Sequence, residues 1–75
     1  MKYAVVIERT PNNYAAYVPD LPGCISVGDT EAEVLTNIRE AIELHLDSMR
    51  EDGDPIPAPT TVAAMVEITD QEDAA

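Results

Sequence analysis

Seventy-five residues with 45% hydrophobic content and one cysteine make a single small domain, not an assembly of several. A chain this short buries only about 60% of its unfolded surface, so a disulfide, a metal or a partner chain is expected to support it. With 15 acidic against 4 basic residues and a formal charge of −11, direct binding of nucleic acid or anionic membrane is not expected, whereas attraction of a basic partner is.

Lys2 to Glu8 (K-Y-A-V-V-I-E) reads as a strand, apolar on both faces and therefore expected at the centre of its sheet. Thr10-Pro11-Asn12-Asn13 is turn chemistry, and Tyr14 to Val18 is a second strand closing a hairpin. Pro19 stops that strand, because proline has no N–H to give to a ladder. Cys24 to Val27 leaves room for one short third strand before Gly28.

Thr30 followed by Glu33 is a capping box and opens a helix. Val34, Leu35, Ile38, Ala41, Ile42, His45, Leu46 and Met49 recur at helical spacing, with 35, 38, 42, 45 and 49 as the expected seam. At about 100° per residue they fill a stripe roughly 140° wide, with Glu33, Glu40, Glu43, Asp47 and Glu51 opposite. Leu44 falls outside the stripe. Gly53 is a left-handed cap and Pro55 forbids continuation. Ile56-Pro57-Ala58-Pro59 is a stiff extended return, and Thr61 to Ile68 (T-V-A-A-M-V-E-I) reads as a fourth strand. Residues 69–75 form an acidic tail expected to fray, leaving 1–68 as the domain.

The element order is thus β-β-β-α-β, an α+β domain expected to form a four-stranded mixed sheet in order 3-2-1-4 with the helix on one face. One helix covers one face only, while both faces carry apolar side chains. The open face predicts an interface and a homo-oligomer, dimer or tetramer.

No residue set completes a catalytic or metal site. Cys24 would need a base or a positive field to act as nucleophile. Its neighbours Asp20 and Asp29 are acidic, and His45, the single histidine, belongs to the helix's apolar stripe, where a structural ring is the simpler reading. Glu8 and Glu67 would fall at the ends of the two paired central strands, as carboxylates do in a two-metal nuclease. A third ligand is missing, since the inward stripe offers only Glu31 in the first turn. Glu51-Asp52-Gly53-Asp54 lacks the alternating oxygen ligands of a calcium loop. Neither catalytic residues nor a cofactor nor a metal is expected. Cys24 cannot form an internal disulfide, and a reduced thiol without an export leader fits the cytoplasm.

A hairpin followed by P-D-L-P-G-C-x-S-x-G-D-T, a helix with E-A-I in its second half, and G-D-x-I-P-x-P resembles the HicB-type antitoxin family over roughly residues 1–68. The resemblance implies a trimmed ribonuclease-H-like unit without its catalytic set. It also implies a partner, a small basic HicA-type toxin that cuts mRNA. Many members continue into a DNA-binding segment; this chain stops after its last expected strand, so operator binding by it is not expected. Candidate partner-binding residues are the outward helix acids Glu33, Glu40, Glu43 and Asp47, with Asp20 and Asp29 near Tyr17. Two alternatives stay open: a solitary homo-oligomeric protein without a toxin, and a residual metal-dependent nuclease using Glu8 and Glu67.

Overall fold

The structure, a computed structural model, describes residues 1–69. Three antiparallel strands, β1 (Val6–Arg9), β2 (Tyr14–Tyr17) and β3 (Ile25–Gly28), form a sheet in order β1-β2-β3 and are followed by α1 (Glu31–Asp52). The expected fourth strand is a correction. No strand is assigned to residues 61–68, and Val62, Met65, Val66 and Ile68 are 86%, 99%, 77% and 75% exposed. With it goes the order 3-2-1-4, and β1 lies at an edge instead of the centre. The acidic tail's residues 70–75 lie outside the described residues.

The reason is visible in the chain's path after the helix. The Tyr3 hydroxyl donates to the Pro57 carbonyl at 2.5 Å, drawing the return segment across the start of the N-terminal strand. Thr60 and Thr61 then bind Asp20, in the connection after β2, with backbone and hydroxyl groups. The chain is therefore carried towards the β2 side, away from the free edge of β1. The first strand is also shorter than its composition implies. Its ladder begins at Val6, paired with Tyr17, because the next partners along β2 are Val18 and Pro19, where the chain turns.

The P-D-L-P-G-C stretch is two successive turns. Leu21 N–H donates to Val18 O at 3.0 Å and Cys24 N–H to Leu21 O at 3.0 Å, each turn with proline at its second position. Gly23, at φ 84°, supplies the left-handed residue of the second turn. The effect is to send Val18, Leu21 and Cys24 inward, where all are buried.

Helix α1 keeps the caps read from the sequence. Thr30 Oγ1 accepts from Glu33 N–H at 3.0 Å, and Gly53 at φ 73° ends the helix, with Asp54 N–H donating to Met49 O at 2.9 Å. Its buried residues are Val34, Ile38 and Leu46, packed on Ala16, Val18, Leu21 and Cys24. The seam is thus turned from the expected one: Leu35 is 46% exposed, while Val34 is wholly buried. The helix leans over β3 and β2, and Asn37 Nδ2 donates to Val27 O at 2.9 Å to fix that side.

Candidate partner-binding surface

In an antiparallel ladder, directly opposed residues point to the same face. The register Val6–Tyr17–Ile25 therefore makes one row, and Glu8–Ala15–Val27 the next. Ala16, opposite Ile7 and Ser26, points the other way into the core. The rows with Val6 and Glu8 consequently form the sheet face away from the helix. Tyr17, Ile25 and Val27 are exposed there. This is an open apolar face with one carboxylate, Glu8, at its margin.

A second surface flanks the helix. Because α1 leans away from β1, a groove of about 550 Å³ opens between the N-terminal segment and the helix flank. Tyr3 and Val5 form one wall, Leu35, Ile42 and Leu46 the other, and Arg39 and Glu43 stand at its rim.

The structure separates the residues singled out as partner contacts. Tyr17 lies on the open sheet face. Glu33, Glu40, Glu43 and Asp47 lie on α1, on the opposite side of the domain, and all are exposed. Two of these helix acids already have local partners: Glu33 Oε1 accepts from Asp29 N–H at 2.5 Å, and Asp47 pairs with Arg50 at 3.1 Å. Asp29 precedes the helix cap and lines a shallow polar hollow with Arg9 and Asn12.

Asp20 is engaged within the chain. Its Oδ2 accepts from Thr60 N–H and Thr61 N–H, both at 3.0 Å, and its Oδ1 from the two hydroxyls at 3.1 and 2.8 Å. Donation from the Thr61 backbone, then from its hydroxyl, holds the carboxyl below its ordinary value. Composition gave no hint of this clamp, since its partners stand 40 and 41 positions away. Leu44 carries a signal in the sequence: it leaves the apolar stripe and is 70% exposed beside the helix acids.

The other chemistry-bearing residues are not assembled into a centre. Cys24 is 3% exposed, and burial pushes its thiol pKa up, against thiolate formation. His45 is half-buried on the helix. Glu67 stands on the exposed segment that does not pair with β1, so the strand-end juxtaposition with Glu8 is not formed. Among the described residues, no three His, Cys, Asp or Glu are grouped to hold a metal ion, and no helix is long and apolar enough to cross a membrane.

Residues 3–75 match the model of a family described as the HicB-like antitoxin of bacterial toxin-antitoxin systems. An uncharacterised 14.9 kDa protein of Haemophilus phage HP1 is 44% identical over 57 residues, which are 76% of this chain and 43% of the phage protein. A UPF0150 protein of Thermoplasma acidophilum is 41% identical over 58 residues, 76% of this chain and 84% of its own. Antitoxin HicB 2 of Photorhabdus laumondii is 35% identical over 69 residues, 91% of this chain and half of the antitoxin. The chain thus spans less than half of the phage relative and most of the archaeal one. Among solved structures, a chain of a HicA3 and HicB3 toxin-antitoxin complex superimposes with TM-score 0.69 at 32% identity, covering 80% of this chain and 70% of that one.

Proposed function

This chain belongs to the family of HicB-like antitoxins of bacterial toxin-antitoxin systems, and from that premise we propose that it binds and neutralises a small, basic HicA-type toxin. The family points to a regulatory role exercised by binding, without catalysis by this chain. The observation that carries the reading is the outer side of α1. There Glu40, Glu43 and Asp47 project from a rigid 22-residue helix beside Leu44, which is 70% exposed. A toxin that grips RNA needs a basic surface, and carboxylates at fixed spacing can stand where phosphates would lie. Rim charges of this kind steer encounter, and a central apolar side chain holds the complex. Glu33 extends the acidic stripe, and Asp29 adds charge at its N-terminal end. Asp20, occupied by Thr60 and Thr61, acts in this reading by holding the return segment, not by touching the partner.

Self-association is the second part of the reading. The apolar rows around Tyr17, Ile25 and Val27, and the free edge of β1, are the surfaces that favour it.

The test is co-expression with any short basic reading frame that adjoins its gene, pull-down, and an RNA-cleavage assay. The expected result is a stable complex in which cleavage is silenced, and Leu44→Ala is expected to weaken binding about tenfold. If no basic protein co-purifies and cleavage continues at saturating antitoxin, toxin neutralisation is not this chain's role.

A further inference from the structure

We infer that two copies of this chain exchange residues 62–68, each copy laying that segment along the free β1 edge of the other. The inference rests on the self-association part of the reading above and names its mechanism.

Three observations meet here. First, residues 62–68 (V-A-A-M-V-E-I) have strand composition, yet no strand is assigned to them and their large apolar side chains are 75–99% exposed. Second, among the described residues β1 has a strand neighbour on one side, β2, so its other edge is open to a further strand. Third, the groove between the N-terminal segment and α1 lies beside that edge, apolar and without a cover.

The shapes correspond. Side chains alternate along a strand, so Tyr3, Val5 and Ile7 share the helix-facing side. Val62, Ala64, Val66 and Ile68 form one row of the exposed segment with the same alternation. A strand added at the β1 edge places that row in the groove, against Leu35, Ile42 and Leu46. Seven residues at about 3.3 Å each span about 23 Å, the length of the Lys2–Glu8 stretch they would cover.

A second copy, and not the same chain, is the occupant because of how the segment is anchored. The four hydrogen bonds from Thr60 and Thr61 to Asp20 fix the chain on the β2 side, immediately before residue 62. Pro55, Pro57 and Pro59 stiffen the approach. A segment held there projects outward, and the Cα radius of gyration, 15.6 Å, exceeds the about 11 Å of a compact chain of this length. A projecting strand and a vacant edge on every copy are self-complementary, so two-fold exchange closes the pair without leaving either strand exposed.

The test uses the full chain in sedimentation velocity at micromolar concentration, with amide hydrogen exchange alongside. The expected result is a dimer in which amides 62–68 exchange at least tenfold more slowly than in Val66→Pro. That variant, which loses one N–H of the segment, is expected to be monomeric with the helix signal unchanged. Should proline disturb the fold, Val66→Lys reads the same apolar row. Thr36→Lys, at an exposed position on the outer side of α1, is expected to stay dimeric. If both Val66 variants remain dimers, strand exchange is wrong while self-association through another face stands. A wild-type monomer overturns both, and a monomer with protected 62–68 amides means the segment docks on its own chain.

Discussion

Gly28 lies against the first turn of the helix so closely that a Cβ on it would stand 2.6 Å from the Val34 backbone nitrogen and 2.9 Å from its Cα. Both neighbours are backbone, so neither can swing aside. Gly28 does not have positive φ; its lack of a side chain serves the approach of strand to helix. Gly28→Ala is therefore expected to push β3 and α1 apart and cost about 1–3 kcal/mol. Gly23→Ala meets no atom within 4 Å but must hold φ 84°, costing about 1–2 kcal/mol. Thermal melts check both, with about 4–8 °C lost per kcal/mol in a domain of this size. Only Gly28→Ala should alter amide shifts across Glu33 and Val34.

Asp20 gives a pH dependence confined to one contact. Its carboxyl is held below the ordinary 3.8, chiefly by the Thr61 N–H. The clamp is therefore at full strength above that ordinary value and is lost as pH falls through the lower value of the folded state. Titration of the Asp20 carboxyl carbon by NMR should show a depressed midpoint. At neutral pH, Asp20→Ala should speed exchange of the Thr60 and Thr61 amides and invite proteolysis after Pro57. The hairpin and helix should stay protected.

Cys24→Ser is expected to leave toxin neutralisation unchanged, because the thiol is buried and its pKa raised. In the native protein a thiol reagent at about pH 8 should react slowly, and denaturant should restore the rate of a free cysteine. Loss of neutralisation in a well-folded serine variant would overturn the reading of Cys24 as core.

Glu40→Lys combined with Asp47→Lys should slow association with a basic toxin and flatten its dependence on salt, with dissociation little changed. Asp47 also pairs with Arg50, but that pair is exposed and adds little to stability, so circular dichroism should be preserved. Stopped-flow binding at two ionic strengths separates the effects. An association rate indifferent to salt would remove the steering role from the helix acids.

The helix was legible because its signals are local. Thr30 and Glu33 sit three residues apart, and Gly53 and Pro55 two, so the sequence states both ends. The hairpin and the stop at Pro19 were legible for the same reason. The fourth strand was misread because strand composition in residues 61–68 describes a preference and not a neighbour. What diverts that segment is a contact between Asp20 and residues 40 and 41 positions later, invisible to any periodicity. The same contact gives Asp20 partners within its own chain that its acidic neighbourhood in the sequence does not announce. The helix acids were found correctly as an outward stripe, but only the three-dimensional arrangement puts Tyr17 on the opposite side. Leu35 shows the remaining limit. A period fixes the width of a stripe, while the lean of the helix over β3 decides which edge of it is wetted.

The tie between Tyr3 and Pro57 has a consequence in time. It spans 54 positions, whereas the contacts that seat the hairpin under the helix are complete once Gly53 has been added. On a ribosome extending the chain at about 5–20 residues per second, the central unit can collapse while the first residues still lack their fastening. Met1 to Val5 would then settle last, after the return segment emerges. A free chain ending before Pro57 should accordingly keep a protected helix with an N-terminus open to protease, and a chain extended through Thr61 should close it.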